Sequence, residues 1–370
     1  MYSPSVLTRA LGSARAVAGG CRKDMTTAAA INGFGRIGRL SARAMCMSDD
    51  VDLKLINCSA SVEYMAYQMK YDSVHGRYKG TIEADGEFLV VDGKRIAVSH
   101  TRDPAEIPFA EHGAEYVCES TGQFLTADKA KGHFAAGAKK VVFSAPAKDD
   151  SPTVVMGVNQ DAYDPSWKAV SCGSCTTNGL APVVKAINDK FGIEMAFMTT
   201  VHAMTGTQKV VDSTSAKDWR AGRSASSSII PSSTGAAKAI GKIIPELEGK
   251  ITGMAFRVPI ADVSVVELTA VLKTETSYAE ICAEIQRRAN GDMKGFLGYC
   301  DEPLVSKDFE TDPTSCIFDA GAGMMLNPKF VKIVCWYDNE WGYAMRVVDL
   351  MNHMREADEA AAESSERLFG

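Results

Sequence analysis

Ala28-Ala29-Ala30-Ile31-Asn32-Gly33-Phe34-Gly35-Arg36-Ile37-Gly38 is the stretch on which the fold turns. A short apolar run leads into a turn with glycines at 33, 35 and 38, and a helical pattern follows through Leu40, Ala44, Met45 and Met47. Val51 to Asn57 then reads as a second strand, so strand, glycine turn, helix and strand make one βαβ unit. A bare G-x-G-x-x-G is a weak signal, but here each glycine has a use. Gly33 permits the tight turn, Gly35 lets backbone approach a pyrophosphate, and Gly38 lets helix and strand close together. The unit predicts dinucleotide binding, with the pyrophosphate at the helix N-terminus.

Strand patterns at 88–91, 95–98, 115–118 and 140–144, with helices at 61–70 and 126–136, extend this unit to an open α/β sheet of the Rossmann type over 28–173. The text then changes. A helix from Cys175 to Lys190, a strand at 194–202, a Ser/Gly-rich stretch at 204–235 and strands at 251–257, 262–273, 315–319 and 330–337, with a helix at 277–290, point to a second, catalytic domain over 174–338. Its expected class is α+β, with a mixed, largely antiparallel sheet. A last helix, 339–356, is expected to pack back on the first domain, with 357–370 as a loose polar tail. Residues 1–24 carry Arg9, Arg15, Arg22 and Lys23, no acid before Asp24, and apolar residues at helical spacing, the pattern of an organellar transit segment. Plastid and cytoplasm are therefore both open as compartments.

The chain has 370 residues, 46% hydrophobic and 23% charged, which suits two soluble globular domains and argues against disorder or coiled coil. Forty Lys and Arg against 46 Asp and Glu leave a net charge of −6, with no basic block to follow a phosphate backbone, so nucleic acid is not the expected main partner. No apolar run reaches the length of a bilayer span, so no membrane partner is expected. Ten cysteines at irregular spacing suit a reducing compartment. Cys172 and Cys175 form the one C-x-x-C considered, and with no second pair beside it no metal site is expected.

The chemistry is expected at Cys175. It stands where Gly173-Ser174 gives way to a helix, and unpaired amides at a helix N-terminus favour thiolate over thiol. His202 ends a predicted strand and is the candidate acid–base partner. Ser174, Thr176, Thr205, Thr207, Thr234 and Gly235, with the guanidinium groups of Arg223 and Arg257, could build anion pockets around such a thiol. One cofactor element is missing. The acid that would bind a ribose 2′-hydroxyl at the end of the second strand is absent, for Asn57 is followed by Cys58, Ser59 and Ala60. Its absence removes the repulsion of a 2′-phosphate, so NADP is expected as well as, or instead of, NAD, unless Glu63 supplies the carboxylate from an irregular loop.

Ile31 to Gly38, Ser174-Cys175-Thr176-Thr177-Asn178, Thr200-Val201-His202, Lys217-Asp218-Trp219-Arg220, Pro231 to Ala237, Gly253 to Pro259 and Trp336-Tyr337-Asp338-Asn339-Glu340 resemble, in order, the motifs of phosphorylating glyceraldehyde-3-phosphate dehydrogenases. The resemblance covers roughly 28–356. It implies that Cys175 attacks the aldehyde of glyceraldehyde 3-phosphate, that His202 activates the thiol, and that inorganic phosphate splits the resulting thioester to 1,3-bisphosphoglycerate. It also implies substrate-phosphate contacts at Thr205, Thr207 and Arg257, attacking-phosphate contacts at Ser174, Thr176, Thr234 and Gly235, cofactor contacts at Asn32, Arg36, Ile37, Arg102, Ser144 and Asn339, and a homotetramer. Gly179 stands where a second Cys is usual, and Thr214 where strictly NAD-dependent members carry Pro. With the missing acid, Thr214 resembles the NADP-tolerant plastid members, and Cys58 to Tyr71 resembles their algal and alveolate forms. Rival readings are an erythrose-4-phosphate dehydrogenase on the same fold, a thiol hydrolase, and a cofactor-binding interaction protein without turnover.

Overall fold

The computed structural model describes residues 26–216 and 218–369. The expected transit segment and Lys217 lie outside the described residues. Two eight-stranded sheets organise the chain. The first is built from β1 (Thr27–Asn32), β2 (Val51–Asn57), β3 (Ile82–Asp85), β4 (Phe88–Val91), β5 (Lys94–Ser99), β6 (Tyr116–Glu119), β7 (Lys140–Phe143) and β8 (Ala169–Ser171), in the order β3-β4-β5-β2-β1-β6-β7-β8. Its run from β5 to β8 is parallel, and only the β3-β4-β5 edge is antiparallel. The centre of the sheet is buried on both faces, and β6 and β7 show no exposed residue. Helices α1 (Arg36–Met47) and α2 (Val62–Lys70) share one apolar cluster on one face, and Phe109, Leu125, Ala130 and Phe143 fill the other, near α3 (Lys131–Ala135).

The second sheet follows α4 (Cys175–Phe191). Its strands are β9 (Ile193–His202), β10 (Ile230–Ser233), β11 (Ile251–Arg257), β12 (Ser264–Leu272), β13 (Leu297–Cys300), β14 (Cys316–Asp319), β15 (Met324–Asn327) and β16 (Phe330–Tyr337). They run β10-β11-β9-β12-β16-β14-β13, with β15 beside β16. Only β9/β11 and β13/β14 are parallel. Helices α4, α5 (Ala236–Ile243) and α6 (Tyr278–Asn290) cover one face. The other face leaves Phe197 68% exposed and Met195 55% exposed. The fold class is the one expected, a Rossmann sheet joined to a mixed, largely antiparallel α+β unit.

Four local expectations are corrected. The last helix, α7 (Trp341–Phe369), does not stop at 356 with a loose tail. Its Asp358 accepts hydrogen bonds from the hydroxyls of Tyr116 and Tyr163, each at 2.9 Å, and Arg355 reaches Glu359 at 2.6 Å. Leu350, Met351 and Met354 seat it against the first sheet, each contributing about 1.5–3 kcal/mol of burial. The helix expected at 126–136 shrinks to α3, because residues 127–130 form turns, and Gly137, at φ +106°, ends it. The Ser/Gly-rich stretch is not wholly loop, for Ile230–Ser233 pairs with β11 as an edge strand where Pro231 costs no inner ladder bond. Glu63 is not on an irregular loop. It lies in the first turn of α2, which Ser61 caps, and it is exposed.

Candidate active site

The glycine turn is shaped for an anion. Gly33 has φ +99°, and a Cβ there would come within 2.9 Å of the Ser120 and Thr121 backbone. A Cβ on Gly38 would meet the Gly33 carbonyl oxygen at 2.1 Å, whereas one on Gly35 would meet nothing within 4 Å. The first and third glycines are thus demanded by close approach, and the second opens on free space. No side chain caps the N-terminus of α1, and no acid stands in its first turn, so its amides are available to a pyrophosphate. These residues fit a dinucleotide.

The expected cofactor residues line the carboxyl ends of the parallel strands, where doubly wound sheets bind their ligands. Asn32 is buried, donates to Glu119 Oε2 at 2.7 Å and accepts from Asn57 Nδ2 at 2.8 Å. Asn57 fills the end of β2 with a neutral amide tied to Ser99 and Thr101. Cys58 follows half-buried, its carbonyl meeting His100 Nδ1 at 2.6 Å. Ser144, just past β7, donates from both its amide and its hydroxyl to the Glu119 carbonyl. Ile37 packs on the apolar cluster and Arg102 is exposed. The Arg36 side chain is a correction: its guanidinium is held between Asp72 and Glu340, so its backbone is what faces the glycine turn.

The thiol pocket lies where the two sheets meet. β8 leads through Cys172 and Gly173 to Ser174, whose hydroxyl accepts the Thr177 amide at 3.0 Å and caps α4. Cys175, the first residue of α4, touches the apolar clusters of both sheets. Its sulfur stands 3.4 Å from His202 Nε2. His202 ends β9, and the parallel register places Arg257, at the end of β11, directly beside it. Arg257 Nη1 lies 2.7 Å from His202 Nδ1, which also meets the Ala203 carbonyl at 2.8 Å. Burial first, and then Arg257, push His202 down to about 4. Burial pushes the Cys175 thiol up, against the pull of Arg257 and of the Thr176 and Cys175 amides. That corrects the expectation of a thiolate favoured by the helix N-terminus: at rest, desolvation is the larger influence.

Some expected phosphate ligands gather here and others do not. The Thr205 and Thr207 hydroxyls lie 3.3 Å apart just past His202. Thr234 bonds the Ala236 amide at 3.2 Å beside Gly235 at the start of α5, where a Cβ on Gly235 would meet nothing within 4 Å. The Thr176 hydroxyl lies 3.0 Å from Tyr337 Oη, and both that hydroxyl and the Thr176 amide pull the Cys175 thiol toward thiolate. Arg223 is a correction, for Asp212 captures its guanidinium at 3.1 Å on the exposed loop. Asn339 is buried and accepts from Ser264 Oγ at 2.6 Å, and Ser264 also accepts the Ala203 amide, so Asn339 is tied to the residue after His202. Sequence reasoning missed Tyr337 as part of the pocket wall. Its ring stands edge-on to His202, and a Cβ on Gly179 would strike it at 2.7 Å.

Two family models match the chain. Residues 174–339 match the glyceraldehyde 3-phosphate dehydrogenase C-terminal domain, and residues 27–127 match the NAD binding domain of the same enzyme. The chain belongs to the glyceraldehyde-3-phosphate dehydrogenase family. It is 64% identical, over 89% of its length and 85% of the relative's, to the chloroplastic glyceraldehyde-3-phosphate dehydrogenase of Guillardia theta. It is 58% identical, over 88% of its length and 97% of the relative's, to the cytosolic one of Gracilaria gracilis. The Ogataea parapolymorpha enzyme is 55% identical over 89% and 98%. This glyceraldehyde-3-phosphate dehydrogenase is an NAD(P)-dependent oxidoreductase whose substrates are glyceraldehyde 3-phosphate and inorganic phosphate. Among the described residues no helix is long and apolar enough to cross a membrane.

Proposed function

We propose that Cys175 is the nucleophile and His202 the acid–base group of this dehydrogenase. The observation that carries the reading is the 3.4 Å contact between Cys175 Sγ and His202 Nε2 at the junction of the two sheets. In the tautomer with Nδ1–H donating to the Ala203 carbonyl, Arg257 Nη1 donates to that same carbonyl, 3.3 Å away, rather than to Nδ1, and His202 Nε2 turns its lone pair to the thiol. The thiol proton passes to Nε2 as sulfur adds to the aldehyde carbon, and it returns to the carbonyl oxygen to give a hemithioacetal. A nicotinamide dinucleotide held at the glycine turn of Gly33, Gly35 and Gly38 would supply the hydride acceptor for that carbon. As the hydride leaves, His202 takes the hydroxyl proton and the carbon becomes a thioester of Cys175. A phosphate oxygen then attacks the thioester, the carbon–sulfur bond breaks, and the sulfur recovers its proton from His202.

Arg257, Thr205 and Thr207 hold the substrate phosphate in this proposal. Ser174, Thr176, Thr234 and Gly235 hold the attacking one. The cofactor unit is 28–173 with 339–356 packed back upon it, and 174–338 is the catalytic unit. The neutral end of β2 at Asn57-Cys58, together with Thr214, supports use of NADP beside NAD. The exposed apolar residues Met195 and Phe197, on the open face of the second sheet, support a homotetramer, in which second copies cover that face. The basic segment 1–24, with no acid before Asp24, supports delivery to a plastid. Phosphate-dependent formation of NAD(P)H, read by absorbance, tests the core of the reading: Cys175→Ser should abolish turnover, and a variant that kept normal rates would refute it. Comparing kcat/KM for glyceraldehyde 3-phosphate and erythrose 4-phosphate separates the two aldehydes.

A further inference from the structure

We propose that His75, Asp262 and Asp338 form a binding site for one small divalent cation of the zinc class, at the seam between the two sheets. One donor atom from each side chain lies within 4.8 Å of the other two. The side chains are dry: His75 is 1% exposed, Asp262 0%, and residue Asp338 2%. They come from three distant segments, the turn after α2, the loop before β12 and the end of β16.

The partners of the neighbouring carboxylates are accounted for. Asp72 and Glu340 share the Arg36 guanidinium. Asp338 accepts the backbone amides of Thr311, Glu340 and Trp341 at 2.6–2.8 Å. Asp262 has nothing comparable. Neither of its oxygens has a hydrogen-bond partner, although one lies 3.6 Å from His75 Nε2. Four carboxyl groups face one guanidinium and one imidazole, and burial, with Asp338 and Glu340 beside it, pushes Asp262 up to about 9, so a cation would displace its proton. A dry carboxylate without a partner is costly, and a cation relieves that cost at a point where the other oxygens already converge.

The donor chemistry narrows the ion. One imidazole nitrogen with carboxylate oxygens suits Zn²⁺ or its Co²⁺ substitute better than Mg²⁺ or Ca²⁺, which prefer oxygen alone. His75 Nδ1 is engaged 2.9 Å from Thr311 Oγ1, the kind of outer contact that orients a ligating histidine, while Nε2 lies 3.2 Å from Glu340 Oε2, a contact a metal would replace. The backbone is strained on both sides: Val263, next to Asp262, has φ +60°, and Thr311 has φ +68°, uncommon values for β-branched residues. Donors around Zn²⁺ stand roughly 3.3 Å apart, so the three side chains would draw in slightly on binding.

Zinc would also be taken by the Cys175–His202 pair, so the test uses full-length Cys175→Ser as background. Zn²⁺ titrated against a chromophoric chelator should fill one site per chain, and Co²⁺ in its place should give a visible spectrum without a thiolate band. Adding Asp262→Asn, which keeps shape and removes charge, should weaken Zn²⁺ at least about tenfold and abolish the rise in Tm that Zn²⁺ brings. His75→Gln should do the same. Absence of a stoichiometric site, a thiolate band at one equivalent, or unchanged Zn²⁺ affinity in the Asp262→Asn protein would each overturn the proposal. So would an Asp262→Asn protein that gains Tm without metal while its parent binds none, because a proton would then be what Asp262 holds.

Discussion

The glycine turn, at the end of β1, and the thiol pocket, at the ends of β9 and β11 and the start of α4, are made of different material. At Gly33, Gly35 and Gly38 the working groups are backbone, and the side chains matter by being absent: one Cβ would strike a carbonyl oxygen at 2.1 Å, while another position opens on free space. At Cys175, His202 and Arg257 the working groups are side-chain atoms brought to 3.4 and 2.7 Å by the ends of β9 and β11 and the start of α4. The first region should therefore fail by sterics, through cofactor affinity and stability, and the second by chemistry, through kcat.

The sharpest separation comes from His202→Gln. It removes the proton acceptor while leaving an amide of similar reach, so kcat should fall by about 10²–10⁴-fold, with cofactor affinity unchanged when followed by quenching of protein fluorescence. A large loss of NAD(P) affinity in this variant would erase the distinction between the two regions.

The same histidine should also mark the stability of the fold. His202 is 2% exposed and held down to about 4, against 6.5 for the ordinary group. The unfolded chain binds this proton between about 6.5 and 4 and the native chain does not, so stability is full above about 6.5 and falls as pH drops through that window. The loss approaches roughly 3 kcal/mol at the acid end. Urea unfolding of the wild type and of His202→Gln should diverge as pH is lowered from 7 to 4.5, with the wild type losing more. Parallel curves would mean that the imidazole is not desolvated.

The contrast in material also explains what could be read in advance. A backbone site is written in glycines, so the turn, its βαβ setting and the neutral end of β2 at Asn57-Cys58 were legible from residue order alone. Cys175 was legible because a helix start is local. Its protonation was not, since the desolvation that outweighs the helix amides depends on two apolar clusters closing over it. Arg223 was misplaced for a related reason: nothing local shows that Asp212, eleven positions earlier, would take its guanidinium. The polar tail was misread because the tyrosines that fix Asp358 lie some 200 positions away in sequence, on β6 and in the loop before β8. Tyr337 and the His75, Asp262 and Asp338 group escaped notice because only the tertiary fold assembles them.

On the backbone side, Gly38→Ala tests the close approach of helix and turn. The added methyl meets the Gly33 carbonyl, which cannot swing away as a flexible side chain would. About 1–3 kcal/mol of stability should be lost, together with a raised KM for the cofactor, while kcat at saturating cofactor stays near the wild-type value. A fall in kcat with an unaltered KM would place this glycine with the chemistry instead.

The smallest expected effect tests the empty acid position. Cys58 is half-buried at the end of β2, where a carboxylate would face the 2′ position of a bound ribose. Cys58→Asp should weaken use of NADP by about tenfold, or about 1.4 kcal/mol, through repulsion of the 2′-phosphate, and should leave or improve use of NAD by accepting from the free hydroxyl. The readout is the ratio of kcat/KM for the two cofactors, measured on one preparation so that any loss of folded protein cancels. If the ratio did not move, the 2′ group would lie beyond the end of β2, and the neutrality of Asn57-Cys58 would carry no weight in the choice of cofactor.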